Sequence, residues 1–130
     1  MAEDELAILH LVATYADAVN RRDQELWNST LSEHVSWTLP GNTVEGKEAV
    51  IGLYEAFMGS FEFVVQLVHQ GTIEVDGDRA WGRWYLTEHL RRQGARETRT
   101  TIGSYTDEYV KENGRWLFAK RTYEILDGST

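Results

Sequence analysis

The chain has no cysteine, so disulfides, thiolate catalysis and cysteine-ligated zinc are all excluded. Proline occurs once, at Pro40, so almost nothing interrupts long regular elements. Positive charge is scarce: 13 Lys and Arg stand against 21 Asp and Glu, a formal net charge of −8. A chain this acidic lacks the cationic face that phosphate backbones require, so nucleic acid is not an expected partner. Its one basic stretch runs from Arg79 to Arg99, where arginine alternates with aromatic residues along predicted strands, the pattern of a solvated or subunit-contact face. No apolar run approaches the roughly 20 residues of a membrane span, and the opening Met-Ala-Glu-Asp-Glu is too acidic for a signal peptide. The expectation is a soluble cytoplasmic protein with no membrane partner.

What is present is aromatic. Five Trp, six Tyr and four Phe in 130 residues supply a core built from large rings and exclude disorder. A chain of this length holds one core, so residues 1–130 are read as a single domain.

Ile8, Val12, Tyr15 and Val19 recur at helical spacing behind Glu3, Asp4 and Glu5, which sit favourably at the positive end of the helix dipole. This predicts an amphipathic helix over residues 3–22. Asp23 reads as the N-cap of a short second helix carrying Leu26, Trp27 and Leu31. Residues 35–39 alternate as a strand that Pro40-Gly41-Asn42 stops, and Val50, Tyr54 and Phe57 mark a third helix ending near Gly59-Ser60. Beyond residue 60 two long hairpins follow, turning at Asp76-Gly77-Asp78 and Asn113-Gly114. Helices first and strands afterwards predict an α+β fold, with a strongly bent, mostly antiparallel sheet wrapped around the helices.

A two-residue turn at Gly77-Asp78 sets Asp76 opposite Arg79 and, carried along without interruption, His69 opposite Leu86. The buried face then holds Leu67, His69, Gly71, Ile73 and Val75 with Ala80, Gly82, Trp84, Leu86 and Glu88. His69 and Glu88 are its only ionisable groups, about 8 Å apart as diagonal neighbours. A neutral imidazole accepts a proton near pH 7, and a carboxylate in an apolar cavity serves as an acid or base. The alternative for His69 is a satisfied core histidine, and for Glu88 a partner to an arginine at the rim. Tyr15, Trp37, Trp84 and Tyr105 are either core rings or ligand contacts. His10 reads as a surface group and His34 as part of a turn. No two histidines have metal-ligand spacing, no glycine-rich phosphate loop is present, and no serine sits in a nucleophile elbow, so no metal or cofactor is expected.

Taken in order, Tyr15, Asn20-Arg21-Arg22-Asp23, Trp37, Gly46, His69, Asp76-Gly77-Asp78-Arg79-Ala80, Gly103-Ser104-Tyr105, Tyr109 and Asn113-Gly114-Arg115-Trp116 resemble the SnoaL-like group of the nuclear transport factor 2-like superfamily. The resemblance covers residues 6–125. It implies a conical α+β barrel, open at one end, with a ligand pocket between sheet and helices. In dehydratase-like members a histidine on the first long strand is the general base, held by an aspartate at the end of the first helix. His69 matches the histidine, whereas Asn20 stands at the aspartate position, so the charged dyad is absent. A second family histidine falls in line with Leu90, one residue from His89. Trp37 and Tyr105 match pocket positions.

Two functions follow. One is a cofactor-free dehydratase, lyase or isomerase acting on a small apolar carbonyl or hydroxyl compound, with His69, Asn20 and Glu88 as catalytic residues and Tyr15, Trp37, Trp84 and Tyr105 holding the ligand. The other is a non-catalytic ligand-binding or assembly domain of the same fold. One continuous cavity lined by His69, Trp37 and Trp84 is expected. So is a homodimer, because Val68, Trp81, Arg83 and Tyr85 share the outer face of the first hairpin and Trp, Tyr and Arg are enriched in protein contacts.

Overall fold

A computed structural model describes residues 2–128. The apolar spacing of the N-terminal segment forms α1 (Ala2–Arg21), which buries Ile8, Leu11, Val12, Tyr15 and Val19. The helix ends in a left-handed residue that is not glycine: Arg22 has φ 55°. The Arg22 and Asp23 N–H groups close back on the carbonyls of Val19 and Ala18, at 3.1 and 2.9 Å. The Arg22 guanidinium then bonds the carbonyls of Met58 and Phe61, which offsets the cost of that conformation and ties the end of α1 to the sheet. Asp23 caps α2 (Gln24–Asn28), its side chain accepting from the Leu26 N–H at 3.1 Å.

Next come β1 (Leu31–Leu39), β2 (Asn42–Glu45) and α3 (Lys47–Gly59). The long strands are β3 (Phe61–Asp76), β4 (Arg79–Arg92), β5 (Arg99–Glu112) and β6 (Arg115–Gly128). All six described strands form one sheet in the order β2-β1-β6-β5-β4-β3, parallel only between β1 and β6. The α+β expectation holds. The short β2 had no signal in the sequence, because Asn42-Thr43-Val44-Glu45 buries no side chain fully and pairs along one edge only.

The inner face is a single apolar cluster that joins α1, α3 and all the long strands, with Trp27 stacked on Tyr54 at 3.7 Å. Among the described residues no helix is long and apolar enough to cross a membrane.

The register of the first hairpin differs from the uninterrupted one. From Asp76↔Arg79 to Gly71↔Trp84 the pairing runs as expected, but Val68 then pairs with Leu86, leaving His69 and Gln70 together opposite Tyr85. This β-bulge shifts the pairing by one residue and changes the face of the side chains from Phe63 to Val68; a second shift between Phe61 and Phe63 returns Phe61 to the buried side. Ala80, Trp84, Leu86 and Glu88 of β4 point inward as expected, and on β3 Gln66 and Val64 replace Leu67 and His69 on the buried side. Gly71 permits the kink, since a Cβ there would lie 2.6 Å from the Trp84 ring.

Candidate functional site

An apolar cavity of about 130 Å³ lies between α1, α3 and the inner face of the sheet. Tyr15, Trp37, Tyr54, Gln66, Glu88 and Tyr105 are among its lining residues.

α1 positions the polar centre of this cavity through a backbone clamp. Asn20 Oδ1 accepts from the Gln66 N–H at 2.7 Å, and Asn20 Nδ2 donates to the Gln66 carbonyl at 2.9 Å. The amide offers an acceptor and a donor side by side; an ionised carboxylate would set a second oxygen against the carbonyl. Asn20 thus pins β3 where Gln66 turns inward.

The Gln66 side chain is 5% exposed, and its Nε2 donates to Glu88 Oε2 at 3.0 Å and to the Tyr105 hydroxyl at 2.9 Å. Tyr123 donates to Glu88 Oε1 at 2.6 Å. Glu88 is 6% exposed, and among the described residues it takes part in no ion pair. Burial raises the Tyr105 and Tyr123 phenols above their ordinary range, and the Glu88 charge adds to this in both. Tyr123 therefore remains a donor to the carboxylate throughout the neutral range.

The other predicted residues divide. Tyr15, Trp37, Tyr105 and Glu88 line the cavity. Trp84 does not: it is buried beside it and donates to the Tyr109 hydroxyl at 2.7 Å. His69 is exposed, within hydrogen-bond distance of the Thr87 hydroxyl at 2.9 Å, because the bulge carries it to the outer face. The expected His69–Glu88 neighbourhood is replaced by Gln66 opposite Glu88. His89 contacts Thr100, while His10 and His34 are exposed, so none of the four histidines lines the cavity. Asn20 reaches the backbone of Gln66 rather than any histidine. Gln66, Tyr123 and Tyr54 were missed as site residues; the signal for Gln66 was Gly71, whose lack of a Cβ marks a possible bulge between it and the inward-facing segment. Among the described residues no group of three or more His, Asp or Glu could hold a metal ion.

A second buried polar cluster lies deeper, against the same rings. Arg121 Nε donates to Asp107 Oδ1 at 2.9 Å, and Tyr109 donates to Asp107 Oδ2 at 2.7 Å. The guanidinium carbon lies 3.4 Å from the centre of the Tyr105 ring, 4.3 Å from Tyr15 and 4.4 Å from Phe118.

A six-stranded sheet packed over helices, with a small apolar cavity that Glu88 helps to line, is the arrangement of the nuclear transport factor 2-like fold. The SnoaL-like domain family matches residues 1–122, and the chain belongs to it. No curated protein matches. Among solved structures, a scytalone dehydratase candidate from Novosphingobium aromaticivorans superposes with a TM-score of 0.91 at 19% identity, covering 98% of this chain and 87% of that one. The hexachlorocyclohexane dehydrochlorinase LinA-type3 from Novosphingobium barchaimii gives 0.89 at 20% identity, covering 98% and 90%. A Mycobacterium tuberculosis protein of unknown function gives 0.84 at 26% identity, covering 96% and 77%.

Proposed function

We propose that this domain is a cofactor-free lyase or isomerase in which Glu88, not His69, transfers the proton. The supporting observation is a carboxylate buried against an apolar cavity without a cationic partner. Such a group costs stability that two hydrogen bonds only partly offset, and groups of this kind concentrate at functional sites. Gln66 and Tyr123 fix the carboxylate by one bond to each oxygen, which leaves further lone pairs for a substrate.

Glu88 takes a proton from the carbon beside a carbonyl. The C–H electron pair becomes a carbon–carbon double bond of the enolate, and the carboxyl group holds the proton. The proton is then delivered to a departing hydroxyl, releasing water, or to a more distant carbon, moving a double bond. Either way Glu88 returns to the carboxylate.

A panel of cyclic hydroxy-ketones and unsaturated ketones, followed in the ultraviolet, tests this. Turnover in the wild type should fall by about 10²–10⁴ in Glu88→Gln, the usual worth of a positioned acid or base. Undiminished turnover in that variant would refute the assignment.

A second reading is a ligand-binding domain without turnover, and one observation favours it. Where the resemblance implies an aspartate–histidine pair, the uncharged Asn20 clamps the backbone of Gln66 and the cavity is lined by the Gln66 amide, with no histidine. On that reading the panel binds and nothing is converted.

We also propose that two copies pair through the outer face of the first hairpin, β3 and β4, where Trp81 is 41% and Tyr85 44% exposed. Sedimentation at micromolar concentration should give a dimer.

A further inference from the structure

Beyond the cavity the inner face of the sheet turns cationic. Alternation along β4 carries the inward positions from Glu88 to Leu90 and then to Arg92, and along β5 from Tyr105 through Gly103 and Thr101 to Arg99. The pairing of these strands is unbroken here, with Glu88 opposite Thr101 and Leu90 opposite Arg99, so the side chains share one face. Phe61, buried on β3, pairs with Arg92, and the guanidinium carbon lies 5.0 Å from the centre of its ring. Arg92 and Arg99, with Arg96 from the turn between the two strands, line a groove that shares Leu90, Thr101 and Ile125 with the cavity. Cavity and groove are therefore continuous. All three arginines are exposed, and among the described residues none takes part in an ion pair. Glu97 is the one acidic residue lining the groove among the described residues, which leaves positive charge in excess there although the chain carries −8.

From this arrangement we infer that the ligand is an elongated organic anion, with its apolar end in the cavity beside Glu88 and a carboxylate at its other end among Arg92, Arg96 and Arg99. The orientation follows from charge. A carboxylate inside the cavity would meet the buried Glu88 charge at low dielectric, whereas in the groove it meets guanidinium groups that no acidic side chain has claimed. The length follows from the strand. Glu88 and Arg92 lie on one strand and are separated by about 13 Å at the usual rise per residue, part of which the arginine side chain can span by reaching back. A short ring acid touches one end only. The inference rests on the reading of the cavity as a substrate site, adds a second subsite to it, and does not need Glu88 to react.

Titration calorimetry on the full chain tests it, with 5-phenylpentanoate, its neutral counterpart 5-phenylpentanamide, benzoate and benzamide as probes. At low salt 5-phenylpentanoate should bind about tenfold more tightly than its amide, the combined worth of two or three exposed charge contacts. Benzoate should gain no such advantage over benzamide. Arg92→Gln with Arg99→Gln should erase the difference, while Arg21→Gln with Arg115→Gln, which removes the same charge from exposed positions outside the groove, should preserve it. Should the first double variant fail to fold, the wild type still decides: at 1 M salt, where the screening length is about 3 Å, the advantage should fall below about threefold. Equal affinity for the long acid and its amide, an equal advantage for benzoate over benzamide, an advantage that survives salt or the loss of Arg92 and Arg99, or no binding of any probe would overturn the inference. Selective binding of the long acid without turnover of the ketone panel would leave it standing and count against Glu88 as the proton-transfer group. Turnover of that panel, lost in Glu88→Gln, with the long acid and its amide bound equally would overturn this inference alone.

Discussion

The two polar clusters inside this domain share a wall of aromatic rings and differ in charge balance. In the deeper one, Asp107 and Arg121 neutralise each other, and Tyr109 and Trp84 extend the network. In the other, Glu88 faces an apolar cavity with only an amide and a phenol for support. A paired charge buried among rings holds elements together, here β5 to β6. A single buried charge opening on a cavity costs stability, and its chemistry accounts for its presence better than its packing does. Burial pushes the Asp107 carboxyl up while Arg121 and Tyr109 pull it back. Burial likewise opposes the Arg121 charge, but Asp107 and the surrounding tyrosines hold that group above its ordinary range.

Breaking the deeper pair should have the largest effect. Arg121→Ala leaves Asp107 buried and unpaired, and should cost about 3–5 kcal/mol in chemical denaturation. Alkaline pH should act next. Burial raises the phenols of Tyr54, Tyr105 and Tyr109 in the folded state, so the unfolded chain releases these protons first. Their contribution is complete below the unfolded value near 10 and is lost as pH rises above it, by about 1.4 kcal/mol per pH unit for each. Stability measured from pH 8 to 10.5 should show the start of this fall.

Asn20→Asp should cost about 1–3 kcal/mol at neutral pH, because a carboxylate oxygen would face the Gln66 carbonyl. Acid should reduce that loss, since the protonated carboxyl again offers a donor. A dyad restored by the substitution would instead leave stability unchanged, but no histidine lies there to receive it.

The smallest effect is expected at the surface. Asp4 accepts from the Trp116 indole at 2.9 Å and pairs with Lys111, and these contacts lower its pKa. A depressed folded value contributes stability above the unfolded pKa that is lost as pH falls through the folded one. Asp4→Asn should therefore flatten the acid limb of the stability curve slightly and leave the alkaline limb unchanged.

The helices and hairpins were legible because their signals are local. Ile8, Val12, Tyr15 and Val19 repeat at the period of a helix, and Asp23, Gly77 and Gly114 mark a cap and two turns. Glu88 was legible because β4 alternates without interruption from Arg79. Gln66 was not. Alternation carries a face only as far as the pairing is regular, and one extra residue at His69–Gln70 exchanges the two faces of the segment before it. The Asn20 clamp was hidden for another reason: it joins residues 46 positions apart through backbone atoms, which no side-chain pattern encodes.

The most direct test of the central claim, that Glu88 belongs to a site and not to the scaffold, is the unfolding free energy of Glu88→Gln. The account predicts a value equal to or above that of the wild type, within about 1 kcal/mol if any is lost, because an uncompensated charge is removed while hydrogen bonding to Gln66 and Tyr123 remains available. A loss of about 3–5 kcal/mol, as expected for Arg121→Ala, would contradict it and make Glu88 a structural partner like Asp107.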